Sequence, residues 1–228
     1  MKGTLIIIDG TDASGKATQA KLLFERLQAE GETIRKVEFP DYDSPSSALI
    51  KMYLKGDFGK KADDVSPYAA SAFYAVDRFA SWKMNWGAFY EAGGLILADR
   101  YVTSNMIHQA AKIDDAIEKD VYLDWLWDLE FHKLALPVPD CVLFLDMPPT
   151  FSAQLMAGRS LKSGESKDIH EQDQTYLTHC YEHSQTLAQK YGWKKVSCVE
   201  GDQVKSIDSI HEELYDLVKP YLKRQGLK

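Results

Sequence analysis

The sequence predicts an α/β fold: a five-stranded parallel sheet in the middle of three layers, with helices on both faces. Three observations predict it. Short continuous apolar runs, of which Thr4–Ile8 is the first, have the composition of strands buried on both faces. These runs alternate with stretches of helical period along the whole chain. The first run passes into the first helical stretch through a glycine-rich turn.

Taken in order, Thr4–Ile8 is the first strand. Lys16–Ala29 is a helix that puts Ala20, Leu23 and Leu27 on one face and stops at Gly31. Ile34–Phe39 reads as a strand and Pro45–Lys55 as a short helix. Ser66 and Pro67 form an N-cap and N1 pair that opens a long helix to about Glu91. Gly93 and Gly94 end it, and Leu95–Ala98 is a third buried strand. Thr103–Lys112 and Asp115–Lys133 read as helices. Pro137 and Pro139 break the pattern before the fourth strand, Cys141–Asp146. Pro149–Ala157 and Ile169–Tyr191 read as helices separated by a polar stretch, Gly158–Asp168. Trp193–Cys198 is the fifth strand and Ile207–Arg224 a closing helix. No linker divides the chain, so residues 1–228 are expected to form a single domain, with 158–168 as a mobile lid segment inside it.

Composition narrows the function. With 228 residues there is chain enough for a sizeable core without disulfide or metal staples. The 27 Lys and Arg against 34 Asp and Glu give a net charge of −7. Such a chain is a poor ligand for nucleic acid or an anionic membrane, and any phosphate it binds must be met by local positive charge. Cys141, Cys180 and Cys198 are scattered, with no C-x-x-C, as expected of reduced thiols. The apolar run near the start is too short for a signal peptide or a membrane span, which makes a soluble cytoplasmic protein the expectation.

The chemistry is concentrated in Gly10-Thr11-Asp12-Ala13-Ser14-Gly15-Lys16, a G-x-x-x-x-G-K turn between a buried strand and a helix. Glycines at both ends let the turn wrap tightly, so that its backbone N–H groups point at phosphate oxygens. The helix start adds its positive end, and Lys16 places a charge on the β- and γ-phosphates. Ala17 stands where a metal-ligating hydroxyl is common, and Thr18 is turned about 100° away around the helix. Mg²⁺ must then rely on phosphates, water and carboxylates. Asp12, inside the turn, is expected to face metal or an acceptor group and not the donor phosphates. Asp99-Arg100-Tyr101 ends the third strand at the same carboxyl edge. Arg100 is suited to clamp a phosphate, and Asp99 to bind Mg²⁺ through water or to orient Arg100. On the long helix, Tyr74 and Arg78 share a face beside Phe73 and Asp77, as a core cluster would or as a pair stacking on and bonding to a nucleobase.

These motifs resemble the thymidylate kinase family of P-loop nucleoside monophosphate kinases over most of the chain. The likeness rests on GTDASGKATQ, Phe39-Pro40, FYAVDR, DRYVTSNMIHQ and LDMPP, in that order, followed by a polar lid and a Tyr-rich helix. The resemblance implies a P-loop fold, ATP as donor with Mg²⁺, phosphorylation of dTMP to dTDP, and a homodimer. It places Gly10, Thr11, Asp12, Ala13, Ser14, Gly15, Lys16, Ala17 and Thr18 at ATP. It places Tyr74 on the thymine ring and Arg78 on a thymine carbonyl. Phe39, Pro40, Ser104, Asn105, His108 and Gln109 then join Asp12 and Arg100 around the acceptor, and Asp12 and Asp99 serve the metal. His108 takes the position of a larger aromatic residue in the family. Ala13 takes that of a loop arginine, which leaves the lid to supply the catalytic cation: Arg159, or alternatively Lys167. Competing expectations are a kinase for another pyrimidine nucleotide or a deoxynucleoside, and a non-catalytic nucleotide-binding module. His179 and His183, four apart, have legal zinc spacing but no further ligand motif, and read as solvated helix histidines. Trp82, Trp86, Trp125 and Trp127 read as core or subunit-interface residues.

Overall fold

The computed structural model describes residues 2–163, 169–171 and 173–222, the side chains of 159–163 excepted. Five parallel strands form the sheet: β1 (Thr4–Gly10), β2 (Ile34–Glu38), β3 (Leu95–Asp99), β4 (Cys141–Asp146) and β5 (Lys194–Ser197), in the order β2-β3-β1-β4-β5. Around it lie α1 (Lys16–Ala29), α2 (Ala48–Lys55), α3 (Pro67–Ser81), α4 (Gly87–Glu91), α5 (Val102–His108), α6 (Ala116–Trp127), α7 (Pro149–Ser163), α8 (Gln174–Lys190) and α9 (Ile207–Val218).

The continuous apolar strands do what a sheet covered on both faces requires. Side chains alternate across β1, so Ile6 and Ile8 pack on one face with Leu23 and Leu27 of α1 and Ile210 and Leu214 of α9. Leu5 and Ile7 pack on the other with Trp86, Met106, Leu126 and Leu187. The register pairs Ile8 with Asp99 and Gly10 with Leu145, so the carboxyl ends of β1, β3 and β4 share one edge.

Several boundaries differ from the sequence reading. The helix opened by Ser66, whose hydroxyl caps Ala69 N–H at 3.2 Å, widens into a π turn at Trp82–Trp86 before α4. Gly87 makes that possible, since a Cβ there would lie 2.6 Å from the Trp82 carbonyl oxygen. A second π turn, Asp128–Lys133, extends α6. Helix α7 runs past Ala157 to Ser163 through the first half of the stretch read as a loop. Polarity alone does not decide backbone shape, and Arg, Leu and Lys are good helix formers. Helix α8 starts later than expected, at Gln174, because Asp173 caps it by accepting from Tyr176 N–H at 2.9 Å. Ile169 and His170 form the turn before it. Helix α9 ends at Val218, short of Arg224, and a 3-10 turn holding Pro220 follows. A small antiparallel ribbon, β6 (Val199–Glu200) with β7 (Gln203–Val204), was not anticipated. Among the described residues, no helix is long and apolar enough to cross a membrane.

Candidate active site

The turn after β1 is shaped by its glycines. A Cβ at Gly10 would sit 2.7 Å from the Leu145 carbonyl oxygen, and Gly15 has a φ of +89° where α1 begins. Lys16 folds back over the turn, its Nζ donating to the carbonyls of Gly10 at 2.9 Å and Thr11 at 2.7 Å. Burial and the nearby Arg100 push its pKa down to about 8, against the attraction of Asp12, Asp9 and Asp99. Asp12, Ala13, Ser14, Gly15, Lys16, Ala17 and Thr18 all line a wide cleft of about 1590 Å³, together with Glu38, Asp99, Leu155 of α7 and Lys205. Gly10 and Thr11 lie behind this wall, and the Thr11 hydroxyl reaches the Met147 carbonyl at 3.5 Å.

Arg100 follows β3 with a φ of +66°, a strained value for a residue with a side chain. Its guanidinium pairs with the Asp12 carboxylate, and its Nη1 donates to the Ser104 hydroxyl at 3.3 Å and to His108 Nε2 at 3.3 Å. The sequence left Asp99 as a means of orienting Arg100; in the fold Asp12 does so, because the loop brings its carboxylate onto the guanidinium. Burial raises Asp99 above the ordinary carboxylate range, with Lys16 and Arg100 acting against it. Burial works on Asp12 too, but Arg100, His108 and Lys16 overcome it and hold that carboxyl far below the usual range. Beneath them Asp9, fully buried, accepts from Gly10 N–H at 2.8 Å, from Ser104 Oγ at 2.9 Å and from the Thr103 hydroxyl. It ties the turn to the start of α5.

A second, narrower cleft of about 520 Å³ lies beyond this pair. Asp12, Phe39, Pro40 and Arg100 line both clefts, so the two meet at the Asp12–Arg100 pair. Helix α3 contributes Tyr74 and Arg78 to the inner cleft; α5 and its end contribute Ser104, Asn105, His108 and Gln109. Every acceptor-side residue singled out from the sequence is therefore brought to one place.

Arg78 is not a free guanidinium. Its Nε donates to Glu130 Oε2 at 3.0 Å and its Nη2 to Glu130 Oε1, leaving Nη1 toward the Tyr101 carbonyl at 3.4 Å and Asn105 Oδ1 at 3.5 Å. Guanidinium groups only donate, so Asn105 turns its Oδ1 to Arg78. Among the described residues its Nδ2 is left buried without a partner, as is Gln109 Oε1. By the same argument His108 Nε2 accepts from Arg100 and its Nδ1, also buried and without a partner among the described residues, carries the proton. Burial, helped by Arg100 and His170, lowers the His108 pKa to about 3.

Tyr42, Leu54, Tyr101 and His170 also line the inner cleft and were missed. His170 stacks beside His108 with ring centroids 6.3 Å apart and bonds through Nε2 to the Tyr53 hydroxyl at 2.7 Å. No local pattern marks it; only the turn before α8 brings it there. Glu130 did have a signal, because it lies four residues beyond the buried Leu126 on the inward face of its helix, where a carboxylate needs a reason. Arg159 lies in α7, its side chain outside the described set, and Lys167 lies outside the described residues. His179 is exposed and His183 half-buried, and neither lines these clefts. Trp82 and Trp86 belong to the core; Trp125 packs against it, half-buried. Trp127 is half-buried and stacks on Tyr191.

Comparison with known proteins agrees with this geometry. The thymidylate kinase family model matches residues 8–214. The chain is 30% identical over 178 residues to the thymidylate kinase of Mycobacterium tuberculosis (strain H37Rv), spanning 74% of this chain and 78% of that protein. It is 26% identical over 213 residues to the thymidylate kinase of Homo sapiens, spanning 93% and 88% respectively. The solved structure of thymidylate kinase from Candida albicans superposes with a TM-score of 0.71 at 24% identity, over 100% of this chain and 97% of that one. With a glycine-rich turn after β1, two clefts that meet at an Asp–Arg pair and a family match across most of its length, the chain belongs to the thymidylate kinase family.

Proposed function

We propose that the enzyme transfers the γ-phosphoryl group of ATP in line to the 5′-phosphate of dTMP, giving dTDP and ADP. The observation that carries this reading is the polar set in the wall of the inner cleft. Arg78 Nη1 is a donor at this wall, and Asn105 and Gln109, whose side-chain amides each carry donors and an acceptor, line it beside Arg78. Thymine has two carbonyl acceptors flanking one N–H donor, groups that a guanidinium and side-chain amides can meet, whereas cytosine has an amino donor in place of one carbonyl. Tyr74 lines the same cleft and supplies a ring face for stacking.

The wide cleft takes ATP. The amides of residues 12–18 and Lys16 hold the phosphates, with Lys16 exchanging its bonds to Gly10 and Thr11 for phosphate oxygens. Arg100, held by Asp12, takes the acceptor phosphate where the clefts meet. The acceptor is already an anion, so positioning and charge neutralisation do most of the catalysis. Arg159, or alternatively Lys167, supplies the lid cation as segment 158–168 closes and excludes water, a contribution of about 10³–10⁵ in rate. Asp12 and Asp99 offer hard oxygen donors beside the turn and fit Mg²⁺ held through one or two carboxylates and substrate phosphates. Bound Mg²⁺ neutralises charge on the β- and γ-phosphates.

The enzyme is read as a cytoplasmic homodimer without nucleic-acid or membrane partners. Three buried, free cysteines and a net charge of −7 support the compartment and the exclusions. Exposed Val76 on α3 and Met84 in the π turn after it support a subunit contact along that helix. A coupled ADP-release assay across dTMP, dUMP, UMP, dCMP and thymidine tests the substrate, with dTMP expected to lead. No preference for dTMP over UMP overturns it. Arg159→Ala is expected to keep ATP binding and slow turnover by about 10³ or more. Wild-type protein that binds ATP and dTMP yet never releases ADP is a binding module instead.

A further inference from the structure

We propose that Glu130 is a positioning residue. It fixes the Arg78 guanidinium and thereby sets the discrimination between a pyrimidine with a carbonyl at its 4-position and one with an amino group there. The proposal rests on the reading of the inner cleft as the dTMP site.

Glu130 reaches Arg78 from the π turn Asp128–Lys133, which continues α6 beside the cleft. Both partners are buried, Arg78 to 1% and Glu130 to 0% exposure. The two carboxylate oxygens take one whole edge of the guanidinium, Nε at 3.0 Å and Nη2, so the plane of the fork is fixed. The other edge is held loosely, with Nη1 at 3.4 Å from the Tyr101 carbonyl and 3.5 Å from Asn105 Oδ1. That loosely held N–H is the one a bound base meets. A buried ion pair is weak grounds for a stability role, since well-packed apolar replacements are often as stable. A pair with one half in the wall of a ligand cleft and the other behind it has a different use: it keeps a charged donor from re-aiming and keeps the site neutral for a neutral base. Without the carboxylate, Arg78 is an uncompensated buried cation, free to turn toward Asp77 or the Tyr101 carbonyl. Its N–H then no longer discriminates carbonyl from amino.

The test is Glu130→Gln, which keeps the shape and removes the charge. Expected is a rise in KM for dTMP of about 10- to 100-fold with KM for ATP unchanged, and a fall of at least about tenfold in the dTMP to dCMP ratio of kcat/KM. Glu130→Asp, which keeps the charge, is expected to recover part of the ratio. A variant that loses thermal stability but keeps the ratio makes Glu130 merely structural and overturns the proposal. Should Glu130→Gln fail to fold, the Arg78→Met/Glu130→Leu double variant serves, as apolar pairs replace buried ion pairs well. Its ratio is expected to equal that of Arg78→Met alone, and a further loss from the second substitution overturns the coupling. The Arg78 Nε–H resonance gives a readout independent of substrate: sharp and exchange-protected in the wild type, broadened in Glu130→Gln or Glu130→Asp. An unchanged resonance overturns the proposal. Wild-type enzyme that does not prefer dTMP overturns the dTMP reading instead, and the resonance still tests Glu130.

Discussion

Replacing Gln109 by Met should make the free enzyme more stable and its dTMP binding worse. Gln109 is 1% exposed, and its Oε1 is buried with no hydrogen-bond partner among the described residues. An orphaned buried acceptor costs about 1–3 kcal/mol. Met has nearly the same length and volume and no amide, so the substitution recovers about 1 kcal/mol after repacking. For a chain of this size that raises Tm by about 2–4 °C. In the complex the base loses the side-chain amide that lines the inner cleft, which raises KM for dTMP about 10- to 100-fold. Ligand linkage sharpens the contrast. At a dTMP concentration about 100 times the wild-type Kd, binding stabilises the wild type by about 2.7 kcal/mol, but a variant tenfold weaker gains only about 1.4 kcal/mol. Thermal scans with and without dTMP, beside steady-state kinetics, read both effects. The order of Tm should narrow or reverse when dTMP is added. A lower Tm in the free variant together with an unchanged KM would refute the reasoning.

Three further outcomes follow from the geometry. Lys16 has a pKa lowered to about 8 and phosphates bind its charged form, so ATP affinity should be level below pH 7 and weaken as pH rises through 8. Calorimetric titration from pH 6.5 to about 9.5 measures this, and a flat profile counts against the role given to Lys16. His108 and His170 titrate near 3 and 4 in the fold against an ordinary 6.5, so below 6.5 the unfolded chain binds more protons. Their contribution is whole above pH 6.5 and is lost as pH falls toward 4, by about 1.4 kcal/mol per unit for each. Urea midpoints at pH 7, 6 and 5 should fall steeply, and a His108→Gln/His170→Gln variant should show a shallower slope. Met84 is 77% exposed, and Met84→Glu is expected to reduce the mass in light scattering from twice 25.8 kDa to a single chain. A wild type that is already monomeric removes the subunit contact proposed here.

Much of the site was legible because it is local. Gly10 to Lys16 form one contiguous turn, and Asp99-Arg100 sits where a buried strand stops, so spacing alone marks both. Tyr74 and Arg78 share a face at helical spacing, and Ser104, Asn105, His108 and Gln109 crowd a short stretch after the third strand. Local pattern failed in two ways. It treated the polar 158–163 stretch as loop, though backbone propensity there favours helix. It also left Arg78 without its counter-ion, since Glu130 lies 52 residues away in sequence.

From its residues alone the chain fixes the alternation of buried strands and helices, the glycine-rich turn between the first strand and helix, and its membership of a kinase family. These follow from short-range rules of periodicity, turn chemistry and charge. Only the tertiary structure decides that Asp12 and not Asp99 holds Arg100, that Glu130 stands behind Arg78, that His170 stacks on His108, and that Asn105 and Gln109, which line the inner cleft, each keep a buried polar atom without a partner among the described residues. Each of these depends on which groups meet after burial, where a charge or a lone pair must find a partner across the fold or go without one.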